Sequence, residues 1–268
     1  MAKTIKIVLD PGHGKNSGAG IVKGFYEGSN NFEAVQYLKE ELEKYKDVQI
    51  VVTRTAITDD PSLEERGKMG RDADLFFSWH SNAWSKEIAH GVSSFSSVRR
   101  DGQALCDAIS AAVVAAFKEC GVGSCYYRGY SQKKWDDSLP TVDYYGVLRS
   151  STLLNPTKAV QGKTPEDSAC KQSIIIEHGF HSNFEECKAL NDPEKLKKIV
   201  QAEAAAIAKC YGLKEKDPEP GPAPDNYYYF AVLSANKNKK YAEEDVAKAK
   251  KLGFEDAYVK YAKRDGAL

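Results

Sequence analysis

Few residues in this chain are equipped for chemistry, and their placement is uneven. Only five histidines occur: His13, His80, His90, His178 and His181. His13 sits between two glycines just after the apolar run "IKIVL" (residues 5 to 9), and His80 directly follows "DLFFSW" (74 to 79). Glu177 closes a third run, "SIII", where an acid is costly unless it is paired or used. Two neutral imidazoles brought to one place suit a divalent metal, and hydrolytic zinc has three protein ligands and an open position. The third ligand should be a carboxylate or another histidine. Glu27, in "FYEGSN", is well placed because it enters from the loop that His13 begins. Glycines beside His13 let the chain turn sharply and carry the imidazole to the metal. Each residue taken singly also has a plain reading: a turn, a capping histidine, a carboxylate at a helix start. Their combination favours the metal.

The elements that must position these residues follow from periodicity. Short apolar runs at 5 to 9, 48 to 53, 74 to 79, 91 to 97 and 172 to 177 alternate with helical patterns near 29 to 45, 62 to 71, 101 to 120 and 193 to 211. That alternation predicts an α/β fold, a mixed, mostly parallel sheet flanked by helices. In such a sheet, residues just past the carboxyl ends of strands line the ligand crevice. His13, His80 and Glu177 all hold that position. Residues 121 to 170 show no clean period and read as loops over one end of the sheet, with a short strand at "YYGVLR" (144 to 149). Arg54 ends a strand and Arg66 lies within a helix; internal pairing fits them better than a grip on substrate carboxylates.

Totals exclude several function classes. The 268 residues balance 38 basic against 38 acidic side chains, without a basic stripe, so no nucleic acid is expected as a partner. Six cysteines without a C-x-x-C pair read as reduced, packed thiols. Neither H-E-x-x-H nor the deaminase pattern H-x-E with P-C-x-x-C is present. No apolar run reaches the length of a membrane span, and no signal-like core precedes the first strand. Membrane insertion is therefore not expected.

Taken together, "IVLDPGHG", "YEGSNNFEAVQYLKEEL", "VVTRT", "LEERGKMGRDADLFFSWHSNA" and "IIIEHGFHSN" resemble, in order and spacing over about residues 5 to 212, the zinc-dependent N-acetylmuramoyl-L-alanine amidases of the Amidase_3 type. The resemblance implies zinc ligands at His13, Glu27 and His80, a catalytic glutamate at Glu177, and peptidoglycan as the substrate. It also implies that Asn31 and Asn82 support the metal loops. Arg71, His178 and His181 depart from the family's usual pattern, and the two histidines could tune or bind the metal. The rival readings are a zinc peptidase acting on stem peptides and a wall-binding protein without catalysis. With no signal peptide, the expected history is synthesis in the cytoplasm and action on the wall after release, by lysis or through a partner.

The catalytic domain is expected over 1 to 213. "KEKDPEPGPAPDN" (214 to 226), with four prolines, reads as a stiff linker. Residues 227 to 268 read as a small β-α-β module: strand (227 to 235), helix (242 to 253), strand (256 to 261). That module resembles one half of a SPOR peptidoglycan-binding domain, and a half-module with an uncovered edge invites a homodimer.

Overall fold

In the computed structural model, residues 3–152, 169–216 and 239–251 are described. The chain divides into two compact units, Met1–Lys216 and Asp217–Leu268.

The first unit is built on six strands: β1 (Ile5–Pro11), β2 (Val48–Val52), β3 (Leu75–Asn82), β4 (Val92–Ser96), β5 (Tyr127–Gln132) and β6 (Gln172–Phe180). Their spatial order is β2-β1-β3-β6-β4-β5. β1 runs parallel to β2 and β3, and β3 parallel to β6. β4 is antiparallel to β6 and parallel to β5. The sheet is thus mixed and mostly parallel, as the alternation of runs predicts.

Strands buried on both faces read as continuous apolar runs because consecutive side chains point to opposite sides. Ile7, Leu9, Phe77, Trp79, Ile174 and Ile176 pack on one face. The helices α1 (Glu27–Leu42), α3 (Gln103–Glu119) and α6 (Pro193–Tyr211) cover that face. Val8, Phe76 and Ile175 point the other way and pack on Val147 and Leu148 of α4 (Gly146–Ser151), beside which lies α2 (Leu63–Met69). Helix ends follow local chemistry. Ser62 and Glu65 form a reciprocal capping box on α2. Asp192 caps α6, Pro193 opens it, and Gly212 ends it in the left-handed conformation.

The structure corrects the loop region. The expected strand at 144 to 149 is a helix from Gly146, whose Val147 and Leu148 pack over Val8, Phe76 and Ile175 on the face of the sheet instead of adding to its edge. Two elements have no counterpart in the sequence reading: β5, a half-exposed edge strand, and α5 (Phe184–Leu190), capped by Asn183. All six cysteines are free thiols, and five of them are buried. No described helix is long and apolar enough to cross a membrane.

In the second unit, α7 (Lys239–Lys251) overlaps the expected helix at 242 to 253. The expected strands at 227 to 235 and 256 to 261, and most of the proline-rich segment, lie outside the described residues.

Candidate metal centre

β1 delivers His13 through a tight turn. The Gly12 N–H donates to the Trp79 carbonyl (3.0 Å), while Asn31 Nδ2 donates to the Gly12 carbonyl (3.1 Å). His13 itself has φ 59°, a left-handed conformation uncommon outside glycine and costly unless its surroundings enforce it. The flanking glycines are required by proximity as much as by turning. A Cβ on Gly12 would overlap the His80 ring, and one on Gly14 would crowd the Asp60 carboxylate.

Glu27 is the first residue of α1, where the helix dipole favours its charge, and it is buried. Its Oε1 lies 3.2 Å from His80 Nδ1 and 3.4 Å from His13 Nε2. The Ser81 N–H donates to the same oxygen (3.3 Å). One donor atom from each of His13, Glu27 and His80 falls within 4.8 Å of the others. Burial alone would raise the pKa of Glu27, but hydrogen bonds from the two imidazoles outweigh it and hold the carboxyl far below the ordinary range. Glu27 is therefore an anion between two nitrogen donors. The His13 side chain is 47% exposed, so the cluster opens to solvent on its side.

Glu177 stands directly opposite His80 in the β3–β6 register. Burial raises its pKa, opposed by His80 and reinforced by Glu27. Its Oε2 is buried without a hydrogen-bond partner among the described residues. Two imidazoles, a carboxylate and an orphaned acid beside them fit a hydrolytic metal site: three ligands, and one base that is not a ligand.

The neighbouring polar residues hold the frame. Arg66 pairs bidentately with Asp10 (2.7 and 2.8 Å), and Thr53 and Ser78 donate to the same carboxylate (both 2.6 Å). Arg54 donates to the carbonyls of Asp59, Ile57 and Gly28 (2.9, 2.9 and 3.1 Å) and more weakly to those of Pro11 and Gly12 (3.4 and 3.5 Å). Both arginines are internal, as their positions imply, though Arg54 fixes backbone rather than an acid. Neither remaining histidine of the glutamate segment joins the His13–Glu27–His80 cluster. His178 is wholly buried and bonded to Glu203, and His181 pairs with Ser81 (2.9 Å). His90 bonds the nearby Ile88 carbonyl. Asn31 does brace the turn of His13, whereas the Asn82 side chain accepts the N–H of its neighbour Ala83 and reaches none of the three clustered residues.

Residues 7–209, most of the chain, match the family described as N-acetylmuramoyl-L-alanine amidase. The chain belongs to that family. The amidase also shares its fold with solved structures. One is the catalytic domain of CwlV, an N-acetylmuramoyl-L-alanine amidase from Bacillus (Paenibacillus) polymyxa var. colistinus, with TM-score 0.56 and 19% identity, covering 79% of this chain and all of that one. Another is an N-acetylmuramoyl-L-alanine amidase from Clostridium difficile 630, with TM-score 0.57 and 21% identity, covering 79% and 98%. A third is AmiC2 of Nostoc punctiforme, with TM-score 0.55 and 22% identity, covering 78% and 97%. No curated protein matches the chain significantly.

Sequence reasoning about this amidase missed one polar residue behind the site. Glu203 is fully buried in α6, where Leu196, Ile199, Val200 and Ile207 share its face. A glutamate inside an apolar stripe at helical spacing is a legible signal, because it needs a buried partner.

Proposed function

We propose that this amidase hydrolyses the amide between N-acetylmuramic acid and L-alanine of peptidoglycan with a zinc ion held by His13, Glu27 and His80 and with Glu177 as general base. Zinc bound there would polarise the scissile carbonyl and bring the pKa of a water to about 7. Glu177 Oε2, with no other partner, accepts the proton of the attacking water. As the water oxygen bonds to the carbonyl carbon and the C–N bond breaks, Glu177 returns that proton to the leaving L-alanine nitrogen. Glu27 would serve as the anionic ligand, placed in the first turn of α1 where the helix dipole favours its charge. Arg66 and Asp10 keep the end of β1 fixed against α2 during the cycle.

The observation that carries this reading is the unpartnered Glu177 oxygen beside a cluster of two histidines and an ionised glutamate. Muramyl peptide digested with the full chain and followed by mass spectrometry tests it. Stem peptide with an intact N-terminal L-alanine is expected, abolished by chelation and restored by zinc. Full activity in demonstrably metal-free protein would refute the zinc assignment, and internal peptide fragments would identify a stem-peptide peptidase instead.

For the second unit we propose wall binding or pairing of two chains through residues 227 to 268. Sedimentation of the full chain against one ending at Lys216 checks the pairing, and a monomeric full chain at tens of micromolar refutes it.

A further inference from the structure

The centre of the sheet carries an irregularity at the site. β3 and β6 pair His80 with Glu177, but the next pairing is Asn82 with Phe180. Two steps along β3 are thus matched by three along β6, so one extra residue bulges out of β6. Such bulges recur beside active sites, where they re-aim side chains. Gly179 takes the strain with φ 75°, and a Cβ there would crowd the carboxylate of Glu186. Beyond the bulge, Glu186 accepts the N–H groups of Phe180 and Gly91 (both 2.7 Å), and the His181 N–H donates to the Asn82 carbonyl (2.8 Å).

At the irregularity a side chain reaches the backbone of the metal ligand. His178 Nδ1 lies 3.0 Å from the His80 carbonyl; since a carbonyl only accepts, this nitrogen carries a proton and donates. His178 Nε2 lies 2.6 Å from Glu203 Oε1. Trp79 Nε1 donates to Glu203 Oε2 (3.1 Å), and the Trp79 and His178 rings stack at 3.9 Å. Trp79 and His178 face α6, whereas their neighbours His80 and Glu177 face the opposite side of the sheet. The buried group therefore lies directly behind the ligand and the base and cannot touch substrate. Stability gives it no evident reason to exist, because apolar residues of similar volume in place of a buried ion pair are often as stable or more so. An apolar side chain, however, has nothing to donate to the His80 carbonyl.

We propose that His178, oriented by Glu203 and Trp79, is a positioning residue that fixes the β3–β6 bulge and so holds His80 and Glu177 in working geometry. The proposal rests on the metal reading given above. Two substitutions separate the links. Asparagine at 178 keeps an N–H donor near the position of Nδ1 and releases Glu203; glutamine places its amide toward Glu203 and releases the carbonyl.

The test measures zinc affinity by competition with a chromophoric chelator, kcat and KM on muramyl peptide, and melting temperature, for the full chain and for H178Q, H178N and E203Q. H178Q should lose on the order of tenfold in zinc affinity and in kcat with KM little changed, as when an outer-sphere partner of a metal ligand is removed. H178N should recover most of both, even while melting below the unaltered protein. E203Q keeps the shape of the site and is read in place of H178Q if that variant does not fold; it should show the same direction of loss. Lower melting temperatures accompanied by unchanged zinc affinity and kcat would make the group merely structural and overturn the proposal. Absence of zinc binding by the unaltered chain would overturn this proposal and the zinc assignment together.

Discussion

Asp10 and Glu177 invite comparison because they are nearly equivalent in the fold. Each stands near the carboxyl end of a strand, β1 and β6, with only β3 between them. The register pairs Asp10 with Ser78 and Glu177 with His80, so both acids share one face of the sheet. Their surroundings differ completely. Asp10 is saturated by Arg66, Thr53 and Ser78, and although burial opposes ionisation, these partners hold its pKa below the ordinary value. Glu177 keeps a buried oxygen with no partner, and burial pushes its pKa up. The acid that fixes the frame is satisfied; the acid we propose as the base is left unsatisfied, as a base must be until its proton arrives.

Replacing Glu177 by glutamine breaks the comparison most directly. Turnover should fall by a factor of roughly 10² to 10⁴, the usual worth of a positioned base. Zinc content should hold, and the melting temperature should rise because an unpartnered buried carboxylate becomes a neutral amide. A parallel fall in zinc content would make Glu177 a ligand. The opposite outcome belongs to Asp10→Ala, which strands the buried Arg66 and should cost about 3–5 kcal/mol in urea unfolding. That contribution also has a pH signature. Since the folded pKa of Asp10 lies below the unfolded value, its stability is fully present above about pH 4 and is lost as pH falls through the folded value. Unfolding measured from pH 7 downward should therefore show Asp10→Asn and the unaltered protein converging in acid. Ser78→Ala removes one of several donors to the same carboxylate and should cost about 1.5–3 kcal/mol at neutral pH, measured the same way. A cost near zero would mean that the serine is redundant beside Arg66.

Much of this was legible in the chain. His13, Glu27, His80 and Glu177 declare themselves because each interrupts an apolar run or follows one where only glycine-rich turns or helix starts are expected. The sheet is legible because its buried strands are continuous apolar runs. β5 is not, since "YRGYSQ" lies half-exposed at an edge and has no apolar face to reveal it. α4 misled because "YYGVLR" has the composition of a strand, whereas its Val147 and Leu148 are used to cover Val8, Phe76 and Ile175, partners that local composition does not report. The roles of Asp10 and His178 depend on partners 56 and 25 residues away, a separation that local pattern does not report.

The strand order also sets a sequence in time. His13, Glu27 and His80 all belong to the first third of the chain, but Glu177 rides on β6, which inserts between β3 and β4 near the end of the first unit. A ribosome makes the three proposed metal ligands first and the proposed base last. Until β6 emerges, β3 and β4 each present an unpaired edge, the kind that joins other chains. With Glu177 as the proposed base, the nascent chain lacks that base during the same interval in which it exposes those edges, and insertion of one central strand supplies the base and covers both edges at once.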